Sequence, residues 1–188
     1  MKKYYKLSWN TNENKNFFIK DFIIDEELKG NVINGVSIID NESPKATLSG
    51  LKAIEPDILV GGYILPIVSE KFRNDFVKKF ILDANFIEFL PVIFKNKNFS
   101  SKYYLMNILH NINCFDFDKS KYTKLPIEIF PDQQDLIFSI EKLEFKYEAI
   151  NNRNIFRMSE KPIEVYVSEE IKKFIFENEY VGFTFEEI

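Results

Sequence analysis

The chain of 188 residues carries 25 basic and 29 acidic side chains for a formal charge of −4, and 45% of it is hydrophobic, with aromatics alone at 16%. That length and apolar content support one domain with a sizeable core, which excludes a repeat solenoid, a large multidomain enzyme and a disordered chain. The small negative charge offers no field for a polyanion, and no stretch reaches the ~20 apolar residues of a spanning helix, so neither nucleic acid nor membrane is an expected partner.

Lys2 and Lys3 open the chain as a signal peptide would, but Ser8, Asn10 and Asn12 interrupt the apolar run that should follow. No export signal is expected, and the protein reads as cytoplasmic. Short strands are expected at 4–7, 17–24 and 32–39, separated by loops such as Asn10-Thr11-Asn12-Glu13-Asn14. The clearest turn cluster is Asn41-Glu42-Ser43-Pro44. It divides a strand and loop region, 1–45, from the main body, 46–188, within a single domain over 1–188.

Phe72, Phe76 and Phe80 then recur at i, i+4 and i+8 with Val77 beside them, while Lys71, Asn74, Asp75, Lys78 and Lys79 take the opposite face. This spacing predicts an amphipathic helix over about 69–81. Ser69 is its N-cap and Glu70 favours its positive end. The aromatic and β-branched run Phe86-Ile87-Glu88-Phe89-Leu90-Pro91-Val92-Ile93-Phe94 reads as a buried strand in which Pro91 implies an edge or a bulge. A second strand is expected at 103–109. Phe138 and Ile140, then Leu143, Phe145 and Tyr147, alternate with a parity flip at Glu141-Lys142, the mark of a bulge or of a break between strands. A helix through Leu136, Ile140, Leu143 and Tyr147 competes with that reading, and the Ile, Phe and Tyr content favours strands. Short strands at 155–158 and 164–167 lead to a second helix over about 168–178, capped by Ser168, with Ile171, Phe174 and Ile175 inward. Gly182-Phe183-Thr184-Phe185 closes the series as a strand.

Val68-Ser69-Glu70 leads through a helix to Phe86-Ile87-Glu88-Phe89, and Val167-Ser168-Glu169 leads through another to Gly182-Phe183-Thr184-Phe185. A duplicated unit is one reading of this echo. The other is that Val-Ser-Glu is a common way to begin any helix. The expected fold class is α+β: a mostly antiparallel sheet with two main helices.

The chain carries Cys114 as its one cysteine and His110 as its one histidine, which excludes an internal disulfide and the usual zinc sites. His110 and Cys114 stand four apart, but nothing supplies the orienting group or oxyanion hole of a Cys–His pair. Cys114 reads as a small buried residue and His110 as a surface or partly packed one. Asp116 and Asp118 project to one face if their segment is a strand, about 7 Å apart at Cα. Such a pair serves acid–base or metal chemistry when other groups converge on it. Without them, it reads as a solvent-facing edge beside Phe115 and Phe117. Lys95, Lys97 and Lys102 interleave with Phe94, Phe99, Tyr103 and Tyr104 as in single-strand grooves, but they read as a solvated hairpin tip. Gly61-Gly62 lacks the spacing of a phosphate loop.

In order along the chain, Pro56-Asp57, Val68-Ser69-Glu70-Lys71-Phe72, Glu88-Phe89-Leu90-Pro91-Val92, Tyr103-Tyr104-Leu105-Met106-Asn107, Phe115-Asp116-Phe117-Asp118-Lys119-Ser120, Ile155-Phe156-Arg157-Met158, Val167-Ser168-Glu169-Glu170 and Gly182-Phe183 form a collinear series. Over roughly 50–188 it resembles the immunity-eleven family of polymorphic-toxin systems. The resemblance implies a bacterial immunity protein, not an enzyme and without a cofactor. Such a protein occludes a cognate toxin domain stoichiometrically, and the toxin is expected to be encoded by the adjacent gene. The partner-binding residues expected are Asp116, Asp118, Glu186 and Glu187 as acidic contacts, and Tyr103 and Tyr104 as aromatic ones. The alternatives are a small metal-dependent hydrolase using Asp116 and Asp118, and a regulatory protein-interaction module.

Overall fold

The structure, a computed structural model, describes residues 2–9, 17–38, 43–50, 55–61, 65–95, 102–124 and 136–188. In chain order the elements are β1 (Tyr4–Trp9), β2 (Phe17–Ile23), α1 (Glu26–Asn34), β3 (Lys45–Gly50), β4 (Ile58–Gly61), β5 (Leu65–Ser69), α2 (Glu70–Lys79), α3 (Ile81–Ala84), β6 (Ile87–Pro91), β7 (Ile93–Phe94), β8 (Tyr103–Ile108), β9 (Asn111–Ile112), β10 (Lys121–Lys124), β11 (Ile137–Lys142), α4 (Tyr147–Ile150), β12 (Ile155–Met158), β13 (Lys161–Ser168), α5 (Glu169–Glu177) and β14 (Phe183–Glu187). Among the described residues they form sheets ordered β4-β5-β8-β6, β14-β1-β13-β12-β9, β2-β3-β7 and β10-β11. Every pairing is antiparallel except β3 with β7 and β12 with β9. The fold is α+β, with the two expected helices present as α2 and α5 and a third of similar length, α1, before them.

The two larger sheets repeat one plan. In the first, hairpin β4–β5 runs into α2, and the chain returns as β6 on the far side of β8. In the second, hairpin β12–β13 runs into α5, and the chain returns as β14 on the far side of β1. Each is a split β-α-β crossover, two parallel strands with an antiparallel one between them. Local bonds repeat with the topology. Ser69 and Ser168 donate their amides to the carbonyls of Asp57 and Asn154, both at 2.8 Å, and their hydroxyls to the side-chain oxygens of the same two residues at 2.8 and 2.7 Å. Glu70 and Glu169 donate to the carbonyls of Lys102 and Lys3. The next residues, Tyr103 and Tyr4, send their hydroxyls to the carbonyls of Pro56 and Arg153 at 2.9 and 3.0 Å. Lys102-Tyr103-Tyr104 and Lys3-Tyr4-Tyr5 are thus one motif used twice.

The units also clasp each other reciprocally. The Val181 amide, after α5, donates to Asp57 of the first unit at 3.0 Å, and Asp83, after α2, accepts from the amide and side chain of Asn154 in the second. Between them lies one core. Phe174 of α5 packs against Phe72, Phe76 and Phe80 of α2 at centroid distances of 6.1, 6.5 and 5.4 Å, with Ile171 and Ile175 buried alongside. Val77 does not join them and stays 39% exposed. The outer face of the first sheet is covered by α1, whose Leu28 and Val32 meet Leu65, Ile67 and Leu105. The outer face of the second is partly covered by Phe115, Phe145 and Ile150 over Tyr4, Phe156 and Tyr166.

Several expectations change. Residues 32–38 are not a strand. Asp25 accepts from the amides of Glu27 and Leu28, Gly35 at φ 63° ends the helix, and the i, i+4 pair Leu28 and Val32 seats α1 on the sheet. The run from Phe86 to Phe94 splits after Pro91, β6 staying on β8 and β7 crossing to β3. Of the two serines, only Ser69 caps through its side chain, accepting from the Phe72 amide at 3.1 Å; the Ser168 hydroxyl is committed to Asn154. The strand reading of 137–142 holds, but Phe138 points outward at 66% exposure, and α4 begins at Tyr147 after a single bridge between Phe115 and Phe145. Asn10 to Asn14, Ile39, Asn41-Glu42, Gly62, Lys97 and Phe99 lie outside the described residues.

Candidate functional site

Alternation places Tyr4, Lys6 and Ser8 of β1 on the outer face of the second sheet. The register sets Lys6 between Tyr166 of β13 and Glu186 of β14. Its ammonium lies 3.2 Å from Glu164 and 3.4 Å from Glu186, and Lys161 reaches the same Glu164 oxygen at 3.4 Å. The Tyr166 hydroxyl donates to the other Glu164 oxygen at 2.5 Å. Burial works to lower the Lys6 pKa, but the Glu164 and Glu186 carboxylates outweigh it and hold the ammonium above its usual value. Burial, reinforced by Glu164, pushes the Tyr166 phenol far up, so it remains a donor.

β11 and the residues up to Glu144 form the opposite wall. They are fixed by the Ile137 amide on the Glu160 carbonyl at 2.8 Å and by Tyr122 packed edge-on to Phe115 and Phe117. Between this wall and the sheet lies a cleft of about 540 Å³, with the ion-paired network on its floor and Glu141, Lys142 and Glu144 on its rim. A second recess of about 470 Å³ lies at the start of α2. Its Asp57 and Ser69 are already committed to each other and to the clasp between the units.

Glu186 and Glu187 both line the cleft. Glu187 pairs with Lys3 at 3.0 Å, and the hydrogen bond from Lys3 lowers its pKa. Asp116 and Asp118 do not share a strand face, because 117–119 is a turn. Asp116 accepts from the amides of Asp118 and Lys119 and pairs with the Lys119 ammonium at 2.9 Å. Those contacts, the Lys119 side chain first, hold its carboxyl below the usual range. Asp118 is exposed. The turn is tied behind the cleft wall by the Asp116 amide on the Glu144 carbonyl.

Tyr103 and Tyr104 sit on the other sheet. Tyr103 is a core residue at 1% exposure, its phenol raised by burial, and it presents no surface to a partner. Tyr104 is half-buried beneath the Arg73 guanidinium, 4.6 Å above its ring, and donates to Glu70. The six expected residues therefore fall in three places, two of them in the cleft.

Cys114 is fully buried and its thiol is pushed up to about 12, so it carries no thiolate. His110 is buried rather than superficial, stacked on Phe86 at 3.8 Å, and burial followed by the charge of Arg153 lowers its pKa. Among the described residues no group of three or more His, Cys, Asp or Glu side chains could hold a metal ion, and no helix is long and apolar enough to cross a membrane. Lys6, Lys161, Glu164 and Tyr166 are the members of the cleft that sequence reasoning missed. The available signal was parity, since Glu164 and Tyr166 share a strand face while Val165 and Val167 take the other.

Residues 41–188 match the model of a family described as Immunity protein family (Imm11). No curated protein matches the chain.

Proposed function

Because the chain belongs to the Imm11 immunity protein family, whose model takes in residues 41–188, we propose that it binds a cognate toxin domain and neutralises it by stoichiometric occlusion, acting in the cytoplasm and without catalysis. The family match is the observation that carries this reading. The chemistry of these side chains supports it. The thiol is protonated and buried, the histidine is packed in the core, and the Asp116 carboxylate is committed to a turn. An occluding protein needs about 800 Å² of surface with a few charged or aromatic anchors, and no reactive group. The metal-dependent hydrolase reading of Asp116 and Asp118 gains nothing from the geometry, since the two carboxylates are not aligned on a strand.

The toxin is taken to be the product of the adjacent gene. Co-expression of the two, scored for host survival and for co-purification, tests the proposal. Survival that depends on a one-to-one complex is the expected result. A neighbour that is toxic but neither bound nor neutralised overturns it.

A further inference from the structure

The repeated plan allows the outer faces of the two large sheets to be compared position by position. Leu65, Leu105 and Leu90 of the first correspond to Glu164, Lys6 and Glu186 of the second, through the registers of β5, β8 and β6 against those of β13, β1 and β14. The leucines face α1 and its surroundings, with Leu65 and Leu105 at 1% and 0% exposure. Further along the same face, the chain's own segment 36–38 lies over β6 and β8. Glu88 accepts from the Ile38 amide at 2.9 Å and from the Ser37 hydroxyl at 2.5 Å, and the Asn107 side chain donates to the Val36 carbonyl at 2.8 Å. The positions equivalent to Glu88 and Asn107 are Thr184 and Ser8, directly paired on β14 and β1.

Among the described residues nothing takes the place of this strap on the second sheet, and the face opens into the cleft of about 540 Å³. Here the repeat replaces an apolar triad with an ionic one, so the face is built for a polar occupant rather than left as uncovered core. Five carboxylates and three ammonium groups line it, and Lys3 and Lys121 pair with Glu187 and Glu141 from beyond its edge. Glu186 keeps 59% of its side chain exposed beside Lys6, and each carboxylate offers about four lone-pair sites, so it retains room for a further donor.

The geometry points to the outer face of β1 and β14, from Lys6, Glu164 and Glu186 toward Ser8 and Thr184, as the docking site for an extended basic segment of the toxin, lying on the second sheet where α1 and residues 36–38 lie on the first. This rests on the immunity reading and specifies its contact. An arginine from the toxin placed on Glu186 forms a two-pronged charge-assisted pair, and a lysine there displaces Lys6.

The test is co-purification of the product of the adjacent gene with wild-type protein and with Glu186→Lys. Glu27→Lys, an exposed site on α1, serves as a control of equal charge change. Alongside, an acetylated and amidated Ala-Arg-Ala-Arg-Ala peptide is titrated into labelled protein and followed by amide chemical shifts. If the wild type and the control capture the toxin and Glu186→Lys weakens capture by tenfold or more, with a flatter salt dependence, the site is supported. If all three capture it equally, the site is overturned while the immunity reading stands. If none captures it, the immunity reading falls and the peptide decides the surface. Shifts confined to β1, β13 and β14 and abolished by Glu186→Lys support a receptor face for basic segments, whereas shifts elsewhere, or none, overturn it.

Discussion

At φ 63°, Gly35 closes α1 in the left-handed region, and a Cβ built there meets the Ile108 carbonyl oxygen at 2.7 Å and the Arg157 side chain at 3.2 Å. Neither obstacle is the far end of a flexible chain free to swing away, since the Arg157 guanidinium is buried and donates to the carbonyls of Ile108 and Pro162. Gly35→Ala therefore combines backbone strain with a clash, and is expected to cost about 2 kcal/mol or more, read as a lower urea midpoint at unchanged slope. His110 sets a pH dependence. Its folded pKa lies below the ordinary 6.5, from burial first and the Arg153 charge second, so the unfolded chain binds the proton more readily. The stability tied to neutral His110 is present above pH 6.5 and is lost as pH falls below it. Melting temperatures measured from pH 7.5 to 5 are expected to fall for the wild type and to fall less for His110→Phe.

Ser69 and Ser168 occupy the same place in the two repeats but hold their helices differently. Ser69→Ala removes an N-cap and the bond to Asp57, and about 1 kcal/mol of stability should go with it. Amide hydrogen exchange separates the two cases: Phe72 should exchange faster in Ser69→Ala, while the first turn of α5 keeps its rate in Ser168→Ala, because no side-chain cap exists there to lose. What could be read from the chain follows the same logic. α2 was readable because Phe72, Phe76 and Phe80 recur over two turns, and α5 because three large apolar residues, Ile171, Phe174 and Ile175, follow a serine at the helix start. α1 was not, since it buries only Leu28 and Val32 and ends in the β-branched residues Val32 and Ile33, whose local preference favours a strand until tertiary packing decides. Its caps, Asp25 and Gly35, were the signal that went unused.

The core holding the two repeats together is shared, with Phe174 of one unit resting on three phenylalanines of the other. Both sheets should therefore melt in one transition, with near- and far-ultraviolet circular dichroism coinciding. Phe174→Ala should lower that single transition by about 3–5 kcal/mol rather than release one sheet first. The repeat itself was only half visible in the sequence, in Val-Ser-Glu and in the strands after each helix. The inner strand of the first unit follows its edge strand along the chain, whereas that of the second, β1, comes from the opposite end. The cleft was hidden for the same reason, since Lys6, Glu164 and Glu186 meet only once that strand is inserted. Lys3 and Glu187, 184 residues apart in the chain, touch across this sheet. On the ribosome, β1 emerges with both its edges bare and waits for β13 and β14 before it has neighbours. A chain that has not yet yielded β13 and β14 therefore has neither the second sheet nor the cleft, whatever state the first sheet has reached.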